Sequence, residues 1–246
     1  MKSEENVKTT AFSQVFLWFG AAVSIAEIQT GALIAPLGLY KGLLSILSGH
    51  LIGAFVLYFA GLIGAETGLS SIESTRISFG TYGSCGFSVL NILQLLGWTA
   101  IMIVNGASAL NVISEKMLAY KSHALWCILI GVFICVWILV GMKNLAKINV
   151  VIISALFALS VLLGFIVYRG NLNPLPAGTM AFGEGVELSA AMALSWLPLI
   201  SDYTRDVKNK TAGTLGSVIG YFAGSTAMFA IGLGGALYAG TSDVAA

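Results

Sequence analysis

The feature that most restricts this chain is a proline placed inside an apolar run. Residues Glu187 to Arg205 read ELSAAMALSWLPLISDYTR, and the run breaks in its middle at Trp196-Leu197-Pro198. Proline removes a backbone donor and its ring clashes with the turn before it, so two half-helices are predicted here rather than one helix. Soluble cores rarely accept such a break. In a membrane, irregular backbone at mid-depth persists where it is buried in protein or lines a cavity, and discontinuous helices are where secondary transporters place substrate and ion sites. The rest of the chain therefore reads as scaffold for this break and for a counterpart near the N-terminus.

The membrane setting follows from composition. Of 246 residues, 57% are hydrophobic and 9% charged, the mean hydropathy is +0.91, and several apolar runs approach the roughly 20 residues needed to cross a bilayer. The fold class expected is an all-α polytopic membrane protein with about seven transmembrane helices. A polar tail at 1–11 precedes a single transmembrane domain at 12–246, with spans near 12–39, 42–64, 87–113, 123–142, 148–168, 187–205 and 213–239. The first span is too long for one straight crossing. It carries Ser24, Glu27, Gln29, Thr30 and Gly31 centrally with Pro36 beyond, and is the second broken helix expected. Residues 65–86 read as a polar connector, and residues 169–185, with Pro174 and Pro176, as loop with room for one turn of helix. Gly49 and Gly53, and the series Gly216, Gly220 and Gly224, have the spacing that lets helices approach closely, so packing is the expected role.

Several functions are excluded. A net charge of +1 and an isoelectric point near 7.7 leave no basic stripe for nucleic acid. Cys85, Cys127 and Cys135 lack metal or redox spacing and read as structural thiols. No HExxH pair, phosphate-binding glycine loop or GxSxG elbow is present, so an enzyme, a metal site and a cofactor are not expected. No small-residue cleavage site follows the first apolar run. With the N-terminus cytoplasmic, Lys2, Lys8, Arg76, Lys143, Lys147, Arg205, Lys208 and Lys210 face inward, against Lys41, Lys116, Lys121 and Arg169 outward. That asymmetry predicts an N-terminus inside a cytoplasmic membrane.

Glu27 is the first candidate site residue, because a carboxylate near mid-span costs about 2.5–3.5 kcal/mol on insertion scales unless paired, protonated or facing water. It either marks a substrate or ion path or locks two helices as a neutral acid. Ser24 and Thr30 share its helix face at spacing three. On span three, Gln94, Trp98, Ile101, Asn105 and Ser108 form a polar stripe carrying an aromatic, which is either a seam between helices or a binding face. Trp196 at the break of span six favours binding, since two indoles from different spans can clamp a flat heteroaromatic ring while amide and carboxyl groups read its edge. Asp202 and Arg205, three apart at the end of span six, are expected to form a structural pair or gate. His50 reads as a hydrogen-bonded core residue before a proton relay, and His123 at a membrane edge has no assigned role.

Particular residues carry a family resemblance. Gly64-Ala65-Glu66-Thr67-Gly68-Leu69, Arg76-Ile77-Ser78-Phe79-Gly80, Gly97-Trp98 and Ser201-Asp202-Tyr203-Thr204-Arg205 together resemble the nucleobase–cation symporters, the purine and cytosine permeases. Within them the chain looks most like the hydroxymethylpyrimidine permeases. The resemblance implies a five-plus-five inverted-repeat fold with spans one and six broken at the central site. It also implies a base sandwiched by aromatics on spans three and six, here Trp98 and Trp196. A cation site would use backbone carbonyls of Ala26, Ile28 and Gln29 with hydroxyls from span eight. Some relatives carry glutamine one turn after the span-three tryptophan; Met102 stands there in this chain, leaving edge recognition to Glu27 or Asn105.

A five-plus-five fold has ten spans and seven are read here, so a chain truncated at its C-terminus, the front part of such a transporter, is expected. The predicted activity is import of a small amino-pyrimidine, hydroxymethylpyrimidine or cytosine, coupled to Na+ or H+. The partners implied are that pyrimidine and the lipid bilayer. Nothing in the residues identifies a protein partner. A non-transporting membrane protein and an amino-acid permease of the same fold are the alternatives.

Overall fold

The computed structural model describes residues 8–140, 142–173 and 180–241. Among these, helices dominate: α1 (Ala11–Ala22), α2 (Ile25–Leu33), α3 (Gly38–Thr67), α4 (Ser71–Leu118), α5 (His123–Val140), α6 (Met142–Arg169), α7 (Phe182–Leu194), α8 (Leu197–Thr204) and α9 (Lys210–Ala239). Five stretches are long and apolar enough to span a bilayer: Ile25–Thr67, Ser71–Leu118, His123–Val140, Val151–Arg169 and Lys210–Ala239. Both expected breaks are present, one between α1 and α2 and one between α7 and α8. Lys2, Pro174, Pro176 and the last five residues, 242–246, lie outside the described residues.

Both breaks have local causes. Pro198 sits at the start of α8, and α7 ends at Leu194, four residues earlier, where the proline ring would strike the carbonyl. Ser24 interrupts span one by adopting extended backbone and capping α2, its Oγ accepting from the Glu27 N–H at 3.3 Å. Extended backbone at the cap is what separates the two half-helices.

The expected connector at 65–86 is corrected: it is largely helical. α3 continues to Thr67 and ends on Gly68, whose φ of 71° closes the helix in the left-handed region. Two residues later Ser70 and Glu73 form a reciprocal cap, Ser70 Oγ accepting from Glu73 N–H at 3.2 Å and Glu73 Oε2 from Ser70 N–H at 3.0 Å. The helix so started bends at Gly80, where φ is 66° and ψ −177°. In the 169–185 connector, expected as loop with one turn of helix, that turn is the start of α7 at Phe182.

The compact part of the bundle is built around α9, which lies against α1, α2 and α3, while α3 also packs on α7 and α8. Its contacts are made by missing side chains. A Cβ on Gly232 would collide with the Ile28 carbonyl, and one on Gly31 with the Phe229 carbonyl, so α2 and α9 touch backbone to backbone. Gly49 meets α7 at Val186 in the same way, and Gly216 and Gly220 meet α1 at Ala11 and Val15, in agreement with the packing role expected for both series. Around these crossings sit Trp18, Leu57, Ile200 and Tyr221 on one side and Ile34, Ile46, Phe229 and Leu233 on the other.

The segment before α1 is tied down. Thr9 pairs with Val207 as an isolated parallel bridge, its N–H donating to Asp206 O at 2.8 Å and its carbonyl accepting from Lys208 N–H at 2.9 Å. Gln14 extends the tie, donating to Thr9 Oγ1 at 2.9 Å and Tyr203 O at 3.0 Å. The N-terminal end of α1 and the start of α9 therefore share one end of the molecule.

Candidate functional site

A cavity of about 300 Å³ opens between the two breaks. Ser24, Ala26 and Glu27 come from span one, Met192, Ser195 and Trp196 from span six, and Gln94, Leu95, Trp98 and Met102 from α4. Each group is placed by the break beside it: the cap at Ser24 turns α2 so that Glu27 faces inward, and the Ser195–Trp196 junction projects the indole between helices. Gln94 donates to the Ser195 carbonyl at 2.6 Å, a backbone group beside the break, and so ties α4 to span six. The cavity is apolar-walled with a few convergent polar groups, the form of a small-molecule site.

Trp196 is held from behind. Trp18, fully buried, lies edge-on to it with ring centroids 5.1 Å apart, and also edge-on to Tyr203 at 5.2 Å and Tyr221 at 6.1 Å. Such edge-to-face packing fixes the indole. Neither Trp18 nor Tyr221 was singled out from the sequence; a tryptophan on the apolar face of α1 looks like any core residue until its neighbour is known.

Glu27 is 3% exposed and hydrogen-bonded at both oxygens. Tyr221 O–H donates to Oε1 at 2.8 Å, and Ser225 Oγ lies 2.6 Å from Oε2. His50 is buried, with Nδ1 2.9 Å from the Ile46 carbonyl and Nε2 2.5 Å from Ser225 Oγ. The histidine is thus the hydrogen-bonded core residue expected, and it is joined to Glu27 through one hydroxyl. Tyr221 and Ser225 escaped the sequence reading, although their spacing of four puts them on one face of α9.

The other candidates are dispersed. The span-three stripe divides: Gln94 and Trp98 reach the cavity, whereas Ser108 bonds the His123 ring at 3.2 Å and Asn105, a turn beyond the cavity wall, is not part of it. Met102 takes the wall position instead. Ala26, Ile28 and Gln29 lie within α2 rather than in the break, and the Ala26 carbonyl accepts from Thr30 Oγ1 at 2.8 Å. Asp202 and Arg205 do not pair with one another. Asp202 Oδ2 accepts from the Ser71 N–H at 3.2 Å, capping α4, while Arg205 lies 3.8 Å from Glu73 and 3.7 Å from Asp206. Their roles are separate because the α4 terminus offers Asp202 an unsatisfied N–H. All three cysteines are free thiols, and no cluster of three metal-ligating side chains occurs among the described residues.

Comparison with known proteins agrees with this architecture. Two structures of Mhp1, a nucleobase-cation-symport-1 family transporter, share the fold over 96% of this chain. Its inward-facing form gives a TM-score of 0.84 at 19% identity, over 56% of its own length. The closed form with bromovinylhydantoin bound gives 0.76 at 20% identity, over 57%. The split helices and their neighbours thus share part of that transporter fold. Among curated relatives, the cytosine permease of Escherichia coli K12 is 25% identical over 98% of this chain and 58% of its own length. The purine-cytosine permease fcyB of Emericella nidulans is 26% identical over 81% and 40% respectively. The chain therefore spans about half the length of these relatives. The family model described as permease for cytosine/purines, uracil, thiamine and allantoin matches residues 2–245, and the chain belongs to that family of multi-pass membrane permeases rather than to any enzyme class.

Proposed function

We propose that this chain carries the base-binding site of a cation-coupled importer of a small amino-pyrimidine, with hydroxymethylpyrimidine first and cytosine second. The observation that supports it is the cavity at the two breaks, where Trp98 and Trp196 stand with Gln94 and Glu27 within one lining of about 300 Å³. A flat ring between the indoles would be read at its edge by the Gln94 amide and the Glu27 carboxyl, the latter accepting from the exocyclic amine or a ring N–H. Transport would proceed by alternating access around this site, coupled to Na+ or H+, in a cytoplasmic membrane with the N-terminus inside.

Binding of cytosine and of hydroxymethylpyrimidine to the purified chain, read by tryptophan fluorescence, tests the site. Trp98→Ala should weaken binding by about 1–3 kcal/mol, the scale of one base–aromatic stack, which is roughly 5- to 150-fold in Kd. Equal affinity in the wild type and Trp98→Ala removes the clamp. Competition by amino acids but not by pyrimidines would instead assign an amino-acid permease of the same fold.

A further inference from the structure

The hydrogen-bond donors between Glu27 and His50 do not add up unless the group holds one more proton than an ordinary glutamate and a neutral histidine supply. His50 Nδ1 is 2.9 Å from the Ile46 carbonyl, which can only accept, so Nδ1 carries a proton. Nε2 is 2.5 Å from Ser225 Oγ, which is 2.6 Å from Glu27 Oε2. A hydroxyl has one proton to donate. With Glu27 a carboxylate and Nε2 bare, Ser225 could serve one neighbour, and the other contact would press two lone-pair atoms together in a buried site. One added proton satisfies both contacts of Ser225, in either of two ways. It sits on Oε2, which donates to Ser225, which donates to Nε2; or it sits on Nε2, which donates to Ser225, which donates to Oε2. Tyr221 has one proton for two acceptors and in both arrangements gives it to the nearer, Oε1 at 2.8 Å, over the Met192 carbonyl at 3.2 Å.

We propose that Glu27, Ser225 and His50 form a proton site behind the cavity, holding one proton that passes between Glu27 and His50 through the Ser225 hydroxyl. In the forward step the Oε2–H bond breaks as the proton moves to Ser225 Oγ, and the proton already on Oγ moves to Nε2. A neutral acid and neutral imidazole become a carboxylate and an imidazolium, with no proton gained or lost. Glu27 alone of the three lines the cavity, so an N–H donor arriving there favours the carboxylate and drives the proton to His50. This last step rests on the base-binding reading given above. The surroundings leave the proton little else to pair with. The His50 ring packs edge-on to Phe222 and Phe229 of α9, and Glu27 meets Tyr221 and Ser225 of α9. Among the described residues no lysine, arginine or second carboxylate bonds to any member.

The chain has two histidines, so His123→Gln leaves His50 as the single ring to observe by nitrogen-15 NMR in the purified full chain. Without ligand at neutral pH, the proton site predicts either a protonated-carboxyl infrared band that Glu27→Gln abolishes or a doubly protonated His50 ring. A chain showing neither overturns the proposal. Added cytosine should then give Nε2 a proton in the Ser225-containing chain and leave it bare in Ser225→Ala and in Glu27→Gln, with helical content by circular dichroism confirming that both variants fold. Cytosine binding that leaves Nε2 bare in the Ser225-containing chain overturns the relay and leaves the base site standing. Absence of cytosine binding overturns the base site, and the ligand-free spectra still decide the proton site.

Discussion

α9 and α5 are both helices long and apolar enough to span a membrane, yet 17 of the 30 residues of α9 are buried and none of the 18 of α5. The more apolar of the two is the less buried. α5 is a run of Leu, Ile, Val, Phe and Trp, whereas nine of the 17 buried residues of α9 are Gly, Ser or Thr, with seven larger side chains between them. In water the order would be reversed. In lipid a leucine gains nothing by leaving acyl chains for protein, and close backbone approach, dispersion contacts and buried hydroxyl bonds do the joining.

The sharpest way to break this contrast is to add bulk at matched glycines. Gly232→Leu places a side chain where α2 and α9 touch backbone to backbone, and should lower stability by at least about 3 kcal/mol in thermal unfolding followed by circular dichroism. Gly131→Leu on α5, with open space around its Cβ position, should change it by less than about 0.5 kcal/mol. Equal losses would mean that α5 packs as tightly as α9. Removing bulk gives the converse pair: Phe229→Ala, at a fully buried position, should cost about 3 kcal/mol, and Phe133→Ala, 59% exposed, less than about 1.

The kink in α4 is a test on the looser side. Gly80→Ala puts a Cβ on backbone that only glycine adopts readily, and should cost about 1–3 kcal/mol, seen as a lower unfolding temperature. An unchanged temperature would show that α4 reshapes there without penalty. The smallest effect belongs to the rim. Lys210 and Glu66 pair at 2.8 Å but are both about half exposed, so Lys210→Ala should cost under about 1 kcal/mol, and raising the salt concentration should erase the difference.

What could be read from residues alone follows the same division. Pro198 announced its own break, because a missing donor and a ring clash act locally whatever surrounds them. The glycine series were legible for the same reason, since spacing along one helix is enough to show a face without side chains. Trp98 and Trp196 were found as members of one cavity because each carries a ring of unusual chemistry at mid-span. The connector at 65–86 differs: its polar residues look like loop, yet Ser70 and Glu73 are the reciprocal cap that starts a helix. Asp202 and Arg205 were paired by spacing, and the structure gives each a different neighbour brought in by α4. Tyr221, Ser225 and Trp18 could not be placed at all, since what they do depends on partners almost 200 positions away, the Tyr221–Glu27 separation being 194.

The two interruptions of the helical ladder have a mechanical consequence. Ser24 stands at one and Ser195 with Trp196 at the other, and all three line the same cavity. The chain is most easily bent where its backbone bonds are already missing, so the axis about which the half-helices could swing runs through the pocket itself. A molecule seated there would touch both sides of the joint at once. It would be less a passenger carried by the moving parts than the pin on which they turn.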